Sequence, residues 1–349
     1  MSRLIRILVV SLFIFAAANA KSQTDASPPS PQAETVAPDK VFADAHRSLD
    51  HGQYDEAIAQ LQKLEAATPR PEGLSHELGV AFYKKADYTS AIRYLKEATE
   101  QNPKDNESTQ LLGLSYYLSG KPQDAVPLLE KVQTWFPNAN VDASYILGIC
   151  YIHLKDYPHA RGAFAKMFDV GPDSAASYLF TARMLLRQEY DPVAEEYALK
   201  AISLDPKLPL AHFLLGELHL YKSRVNEAVD DFRQELALNP GHAPAYYKLA
   251  DAYSRIQKYD DAERLLQRSI WLDSTSTGPY ILLGKVLQKK GEPLLAQRAL
   301  QRATTMDPNN SITHHLLGQV YRDLGDNADA DRELKIAEEL LNAKNAGQH

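Results

Sequence analysis

One cysteine, Cys150, stands in 349 residues, so no intrachain disulfide can form and the chain must hold together by packing. Basic residues are in deficit: 38 Lys and Arg against 45 Asp and Glu leave a net charge of −7. Nucleic-acid binders concentrate Lys and Arg to neutralise phosphates, and an anionic lipid surface makes the same demand. Neither partner class fits this balance. Catalytic signatures are missing as well. There is no G-x-S-x-G elbow, no Walker-type phosphate loop and no C-x-x-C-H haem attachment, and His76-Glu77 lacks the second histidine of a zinc helix. Neither catalysis nor a metal or other cofactor is expected.

The one long apolar run is N-terminal. Arg3 and Arg6 precede Ile7 to Ala18, and Ala18-Asn19-Ala20 has the small-x-small form of a leader-peptidase site. A spanning helix needs roughly 20 apolar residues, more than this run supplies. Residues 1–20 therefore read as a secretory signal cut after Ala20, which makes the protein exported, with the periplasm as the expected compartment. Losing two arginines from −7 leaves the mature chain at −9. Residues 21–37 are rich in Pro, Ser, Ala and Gln, including Pro28-Pro29-Ser30-Pro31, and cannot supply a core. A disordered linker is expected there.

Beyond it the sequence repeats itself. Ala45, Gly79, Gly113, Gly148, Ala182, Gly216, Ala250, Gly284 and Gly318 follow one another at 34 residues, with one step of 35 that makes Asn140 an extra residue. Twelve residues after each anchor stands an alanine, from Ala57 to Ala330. Twelve further on a proline recurs, at Pro69, Pro103, Pro137, Pro172, Pro206, Pro240 and Pro308, while Ser274 takes that place in the seventh copy. Apolar residues at helical spacing between these marks predict two helices per copy, with the small residues where the helices cross and the proline as terminator. Asp44, Thr181 and Glu235 are local departures at apolar or small positions.

This pattern resembles the tetratricopeptide repeat family: Ser144-x2-Leu147-Gly148-x2-Tyr151, then Ala160-x3-Phe164 and Pro172. The resemblance implies an all-α, right-handed superhelical solenoid of about nine antiparallel helix pairs over 38–344, with a short tail at 345–349. It implies a polar first repeat as N-terminal cap and a last helix, about 328–342, whose Glu333, Glu338 and Glu339 face solvent.

The same resemblance implies that first helices line a concave groove, into which positions two, five, nine, twelve and thirteen of each repeat point. Repeats three and four then supply Gln110, Leu114, Tyr117, Tyr145, Ile149, Ile152 and His153. Repeats five and six supply Leu179, Arg183, Arg187, Phe213, Glu217 and Tyr221, and repeats seven and eight Tyr247, Asp251, Arg255, Lys285 and Lys289. Aromatics and arginines are the types enriched at binding hot spots. The expected function is a non-catalytic scaffold or adaptor of the cell envelope that binds an extended or helical segment of a protein partner. Arg183 and Arg187 are expected to meet carboxylates, and Tyr145 and Tyr221 to hold apolar anchors. The alternative is a carrier or sensor for a glycan, lipid or other small ligand, since clustered Tyr also stacks on sugars. The carboxylate clamp known in the family is rejected, because Phe42 and His46 occupy its Lys and Asn places.

Other polar clusters have plain readings. His212 and His219 share a helix face and read as packing residues rather than metal ligands; adjacent His314 and His315 point about 100° apart. Asp230-Asp231 and Asp260-Asp261 read as partners of a helix macrodipole. Cys150, beside an anchor glycine, reads as a buried structural thiol.

Overall fold

The computed structural model describes residues 37–135, 141–189 and 191–346, and these form eighteen α-helices with no strand. The leader and nearly all of the expected linker lie outside the described residues, as do Pro137, Asn140 and 347–349. The helices fall into nine pairs. The first four are α1 (Pro38–Asp50) with α2 (Tyr54–Gln62), α3 (Leu74–Lys84) with α4 (Tyr88–Gln101), α5 (Asn106–Leu118) with α6 (Pro122–Trp135), and α7 (Val141–His153) with α8 (Tyr157–Met167). Next come α9 (Ala175–Arg187) with α10 (Asp191–Leu204), α11 (Ala211–Tyr221) with α12 (Val225–Leu238), and α13 (Ala243–Arg255) with α14 (Tyr259–Leu272). Two pairs close the array: α15 (Thr277–Lys289) with α16 (Pro293–Met306), and α17 (Ser311–Leu324) with α18 (Asn327–Ala346).

Each helix packs on its pair-mate and on the nearest helix of the next pair, as a solenoid requires. Neighbouring first helices also touch, α1 on α3 and so on along the chain, less closely between α7 and α9; second helices make no comparable contact. The first helices thus stand on the tighter, inner side of the stack.

The close crossing within a pair explains the anchor glycines. A Cβ on Gly79 would sit 2.6 Å from the Leu95 side chain, and one on Gly216 would sit 2.6 Å from Phe232. The space saved by glycine is filled by the large residue sixteen places on. Leu95, Phe164 and Phe232 are fully buried there.

The turn inside a pair uses one device throughout. Its central residue has positive φ in all nine copies: Gly52, Ala86, Gly120, Lys155, Glu189, Ser223, Gln257, Gly291 and Gly325. That left-handed residue lets the following N–H reach back five residues, as Asp87 does to the Phe82 carbonyl at 3.0 Å and Lys258 to that of Tyr253 at 2.9 Å. The proline is dispensable as a terminator. Helix α14 ends at Leu272 before Ser274, where the Asp273 carboxylate accepts the Thr275 N–H at 2.9 Å and draws the chain into a turn. Asn102 and Asp205 form the same turn ahead of Lys104 and Lys207.

Several sequence readings need correction. Glu333 does not face solvent; it is 9% exposed and its carboxylate lies 2.7 Å from His314 Nδ1. Glu338 and Glu339 are exposed as expected. Thr181 fills an apolar position by donating its hydroxyl to the Ser177 carbonyl at 2.7 Å. Glu235 fills a small-residue position while fully buried, because its carboxylate accepts the Leu210 N–H at 3.0 Å and lies 3.0 Å from His242 Nδ1. Cys150 is buried as expected, and burial pushes its thiol up to about 12.

Candidate partner-binding groove

The inner face has two kinds of surface. In repeats three and four the candidate residues pack into the core. Ile149 is 1% exposed and Ile152 is fully buried, so neither can touch a partner. Leu114, Tyr117 and Tyr145 are half-buried against the same cluster. The Tyr145 ring rests on Phe164 at 6.3 Å, and Tyr117 stacks on His153 at 6.3 Å. Burial raises the Tyr117 phenol. Gln110 is half-buried, and only His153 of this group is exposed. Tyr145 is thus mainly a packing residue, not the free anchor expected from its position. Apolar side chains at these places close onto the curved stack because burial returns about 1.5–3 kcal/mol for each large one.

From repeat five onward the face opens. Leu179 still packs at 8% exposure, and Phe213 is held between Phe232 and His242 at 5.7 and 4.7 Å. Tyr247 is half-buried and its phenol is raised by burial. Around them, however, Arg183, Arg187, Tyr221, Arg255, Lys285 and Lys289 are exposed. Tyr221 is 69% exposed, the most open tyrosine among the large apolar and aromatic residues that reach solvent.

Five predicted residues meet in one open depression of about 590 Å³: Arg187, Glu217, Tyr221, Asp251 and Arg255, with Leu186, Leu220 and Lys248. Two of its three acids are already neutralised, while Glu189 at its rim is exposed. Lys248 Nζ lies 2.9 Å from Glu217, and Arg255 donates to Asp251 at 2.8 Å. Arg255 also reaches toward the Leu220 carbonyl at 3.4 Å. Lys248 was missed by sequence reasoning, because it sits outside the five groove positions and is found only through its acid partner on the neighbouring repeat. By contrast, Arg183, Arg187, Lys285 and Lys289 have no ion pair among the described residues.

Behind this face lies a polar cluster that sequence reasoning took apart. Asp231 sits in the middle of α12, so the macrodipole reading fails for it; its carboxylate lies 2.6 Å from His219 Nδ1 and 3.8 Å from His212 Nδ1. Burial raises the Asp231 carboxyl against the pull of both histidines. Glu195 on α10 accepts from Lys222 and Arg224, each at 2.7 Å, and lies 3.4 Å from His219. Burial would raise its carboxyl, but these donors prevail and hold it at about 2. The cluster ties α10, α11 and α12 together. Among the described residues no group of three or more His, Cys, Asp or Glu is arranged to hold a metal ion, and no helix is long and apolar enough to cross a membrane.

A stack of antiparallel helix pairs with a crossing glycine, a left-handed turn and an inner face built from first helices defines a helical-repeat solenoid. The chain belongs to the tetratricopeptide repeat family. Family models described as tetratricopeptide repeat match residues 48–114, 220–270 and 281–337, and one described as anaphase-promoting complex, cyclosome, subunit 3 matches 84–167. The TPR repeat-containing protein YpiA of Bacillus subtilis (strain 168) is similar at 21% identity over 309 residues, which cover 76% of this chain and 72% of that protein. The intraflagellar transport protein 88 homolog of Homo sapiens is 28% identical over 102 residues, or 28% of this chain, and the chain spans only 12% of it. A solved structure of YrrB, described as a TPR protein with an unusual peptide-binding site, matches with a TM-score of 0.45 at 22% identity, covering 53% of this chain and 99% of that one. Proteins built from such repeats generally mediate protein–protein interaction.

Proposed function

We propose that this chain is a non-catalytic interaction scaffold of the cell envelope that binds an extended or helical segment of a protein partner on the inner face of repeats five to eight. The observation that carries the reading is Tyr221, left 69% exposed in the depression that also holds Arg187 and two neutralised acids. The same repeat position is exposed in repeats three and four, at Leu118 and His153, and an aromatic ring placed there forgoes burial that a partner can restore. Burying such an anchor returns about 1.5–3 kcal/mol, whereas micromolar affinity needs about −8 kcal/mol. Several anchors must therefore engage together, and the partner segment spans several repeats. The depression opens to solvent and much of its lining is charged, which suits a chain segment better than an enclosed small ligand.

Export rests on the leader at 1–20. N-terminal sequencing of the chain purified from cells that express it with the leader is expected to begin at Lys21. For binding, the test is affinity capture from an envelope extract with the full tagged chain beside Tyr221→Ala/Arg187→Glu and a control, Trp271→Ala, on α14. A protein retained by wild type and control but lost by the groove variant supports the reading. Equal capture by all three removes the inner face from the interaction.

A further inference from the structure

We propose that the segment bound by this groove carries two acidic clusters flanking an apolar side chain, read by Arg183 and Arg187 at one end and Lys285 and Lys289 at the other, with Tyr221 between them. This rests on the groove reading above and specifies its ligand. The chain as a whole is anionic at −7, so four exposed cations without acid partners among the described residues, all at inner-face positions, run against its average. Glu217 and Asp251 on the same face do not offset them, because Lys248 holds the first and Arg255 the second; exposed Glu189 at the rim offsets only one of the four charges. The face therefore carries a net positive charge from α9 to α15, within a chain whose net charge is −7. A ligand that complements it must bring carboxylates. The inner face of repeats three and four has no counterpart: Leu114, Tyr117, Tyr145, Ile149 and Ile152 are uncharged.

Spacing limits the ligand further. Arg183 and Arg187 lie four residues apart on one helix, about 6 Å along its axis, as do Lys285 and Lys289. First helices α9, α11, α13 and α15 stand side by side at roughly 8–10 Å, so the two cation pairs are about 25–30 Å apart. An extended segment rising about 3.3 Å per residue crosses that gap in roughly eight or nine residues. Tyr221 lies on α11, one helix from Arg183 and Arg187, so the apolar residue belongs nearer that acidic cluster. Four isolated cations without a row of stacking rings do not make a nucleic-acid track, which needs both.

The experiment is selection of a random 16-residue peptide display library on the immobilised full chain at low ionic strength, followed by fluorescence anisotropy with the selected peptide. The selected sequences are expected to carry two acidic groups about eight residues apart with an apolar residue between. Arg183→Glu/Arg187→Glu and Lys285→Glu/Lys289→Glu are each expected to weaken that peptide at least tenfold, and the milder Gln pairs to weaken it less. Rising salt is expected to erode wild-type binding toward that of the variants. Unchanged helical circular dichroism shows that the variants fold, as exposed substitutions should. Selected peptides without acidic enrichment whose binding still depends on Tyr221 overturn the acidic assignment and leave the groove reading in place. Competition by oligo(dT) at comparable concentration overturns it in favour of a nucleic acid. A library that yields no binder sensitive to any groove substitution overturns both.

Discussion

Ile149 and Arg183 occupy the same ninth position of consecutive repeats, yet one is 1% exposed and the other stands in solvent. The difference runs through the whole inner face. In repeats three and four, apolar residues on α5 and α7 spend the groove positions on joining their neighbours; in repeats five to eight, charged residues leave those positions free. The two surfaces meet where α7 and α9 approach each other less closely than other successive first helices. Helix α8 also stops at Met167, shorter than the fourteen-residue second helices around it, with Asp169 in a left-handed turn and Phe168 stacked on Phe180 at 4.0 Å. His153 bridges the seam at its inner edge, with Nε2 3.3 Å from Gln188 Oε1. A repeat position therefore gives a side chain a direction, and the side chain's polarity decides whether it becomes core or surface.

The sharpest test of that rule is the pair itself. Ile149→Ala is expected to cost about 2–5 kcal/mol, the range for a fully buried aliphatic truncation. Arg183→Ala should change stability by no more than about 0.5 kcal/mol, as an exposed substitution without partners. Urea melts of both variants against wild type decide it. A large loss at Arg183, or none at Ile149, would mean that the inner face is uniform.

The next contrast sets two tyrosines against each other. Tyr117→Ala removes a half-buried ring stacked on His153 and is expected to cost about 1–2 kcal/mol, a fraction of full aromatic burial. Tyr221→Ala is expected to leave the melt unchanged and to weaken only peptide binding. Measuring both properties on both variants separates packing from recognition; a Tyr117 variant that loses binding with no loss of stability would extend the binding surface into repeats three and four.

The pairing of helices was legible in the sequence because a Gly or Ala anchor and a later Ala recur in phase nine times, and a Pro seven times, repeating one geometric demand. Which inner positions stay open was less so, since Ile149 and Arg183 carry the same repeat label and only their polarity tells them apart. Partners on adjacent repeats were hidden. Lys248 belongs to none of the groove positions, and Asp231 looked like a helix-end acid until His212 and His219 were seen to converge on it. Glu235 looked like a packing fault; its hydrogen bonds to Leu210 and His242 come from residues on either side in sequence that only the fold brings together. The five left-handed residues of the turns within pairs that are not glycine could be placed by phase alone, but nothing in Ala86, Lys155, Glu189, Ser223 or Gln257 advertises positive φ.

The open half is braced from behind by Glu195, which leads to a smaller effect with a pH signature. Its carboxyl is held at about 2 by Lys222, Arg224 and His219, below the usual 4.5, so it stabilises the fold fully above pH 4.5 and progressively less as pH falls toward 2. Glu195→Gln is expected to cost about 1 kcal/mol at pH 7, given the partial exposure of the site. The gap from wild type should narrow in urea melts at pH 4 and pH 3. A gap that stays constant with pH would assign the loss to packing and not to charge.

The smallest expected effect asks whether the two halves are one structure. Lys155 and Gln257 occupy the same left-handed turn position, one on each side of the seam, with φ of 60° and 61°. Glycine adopts that conformation without the steric cost of a Cβ, roughly 1 kcal/mol, though its looser unfolded chain takes back part of the gain. Lys155→Gly and Gln257→Gly should thus each stabilise by about 0.5 kcal/mol. The core argues for a shared response, because one buried cluster runs from Ala125 and Ile149 across the seam to Leu179, Leu185 and Leu218. With the seam filled by side chains, either substitution should shift one common unfolding transition by a similar amount. Two transitions, each moved by only one of the substitutions, would show that the packed and open halves unfold separately and that the seam between α7 and α9 is a mechanical boundary.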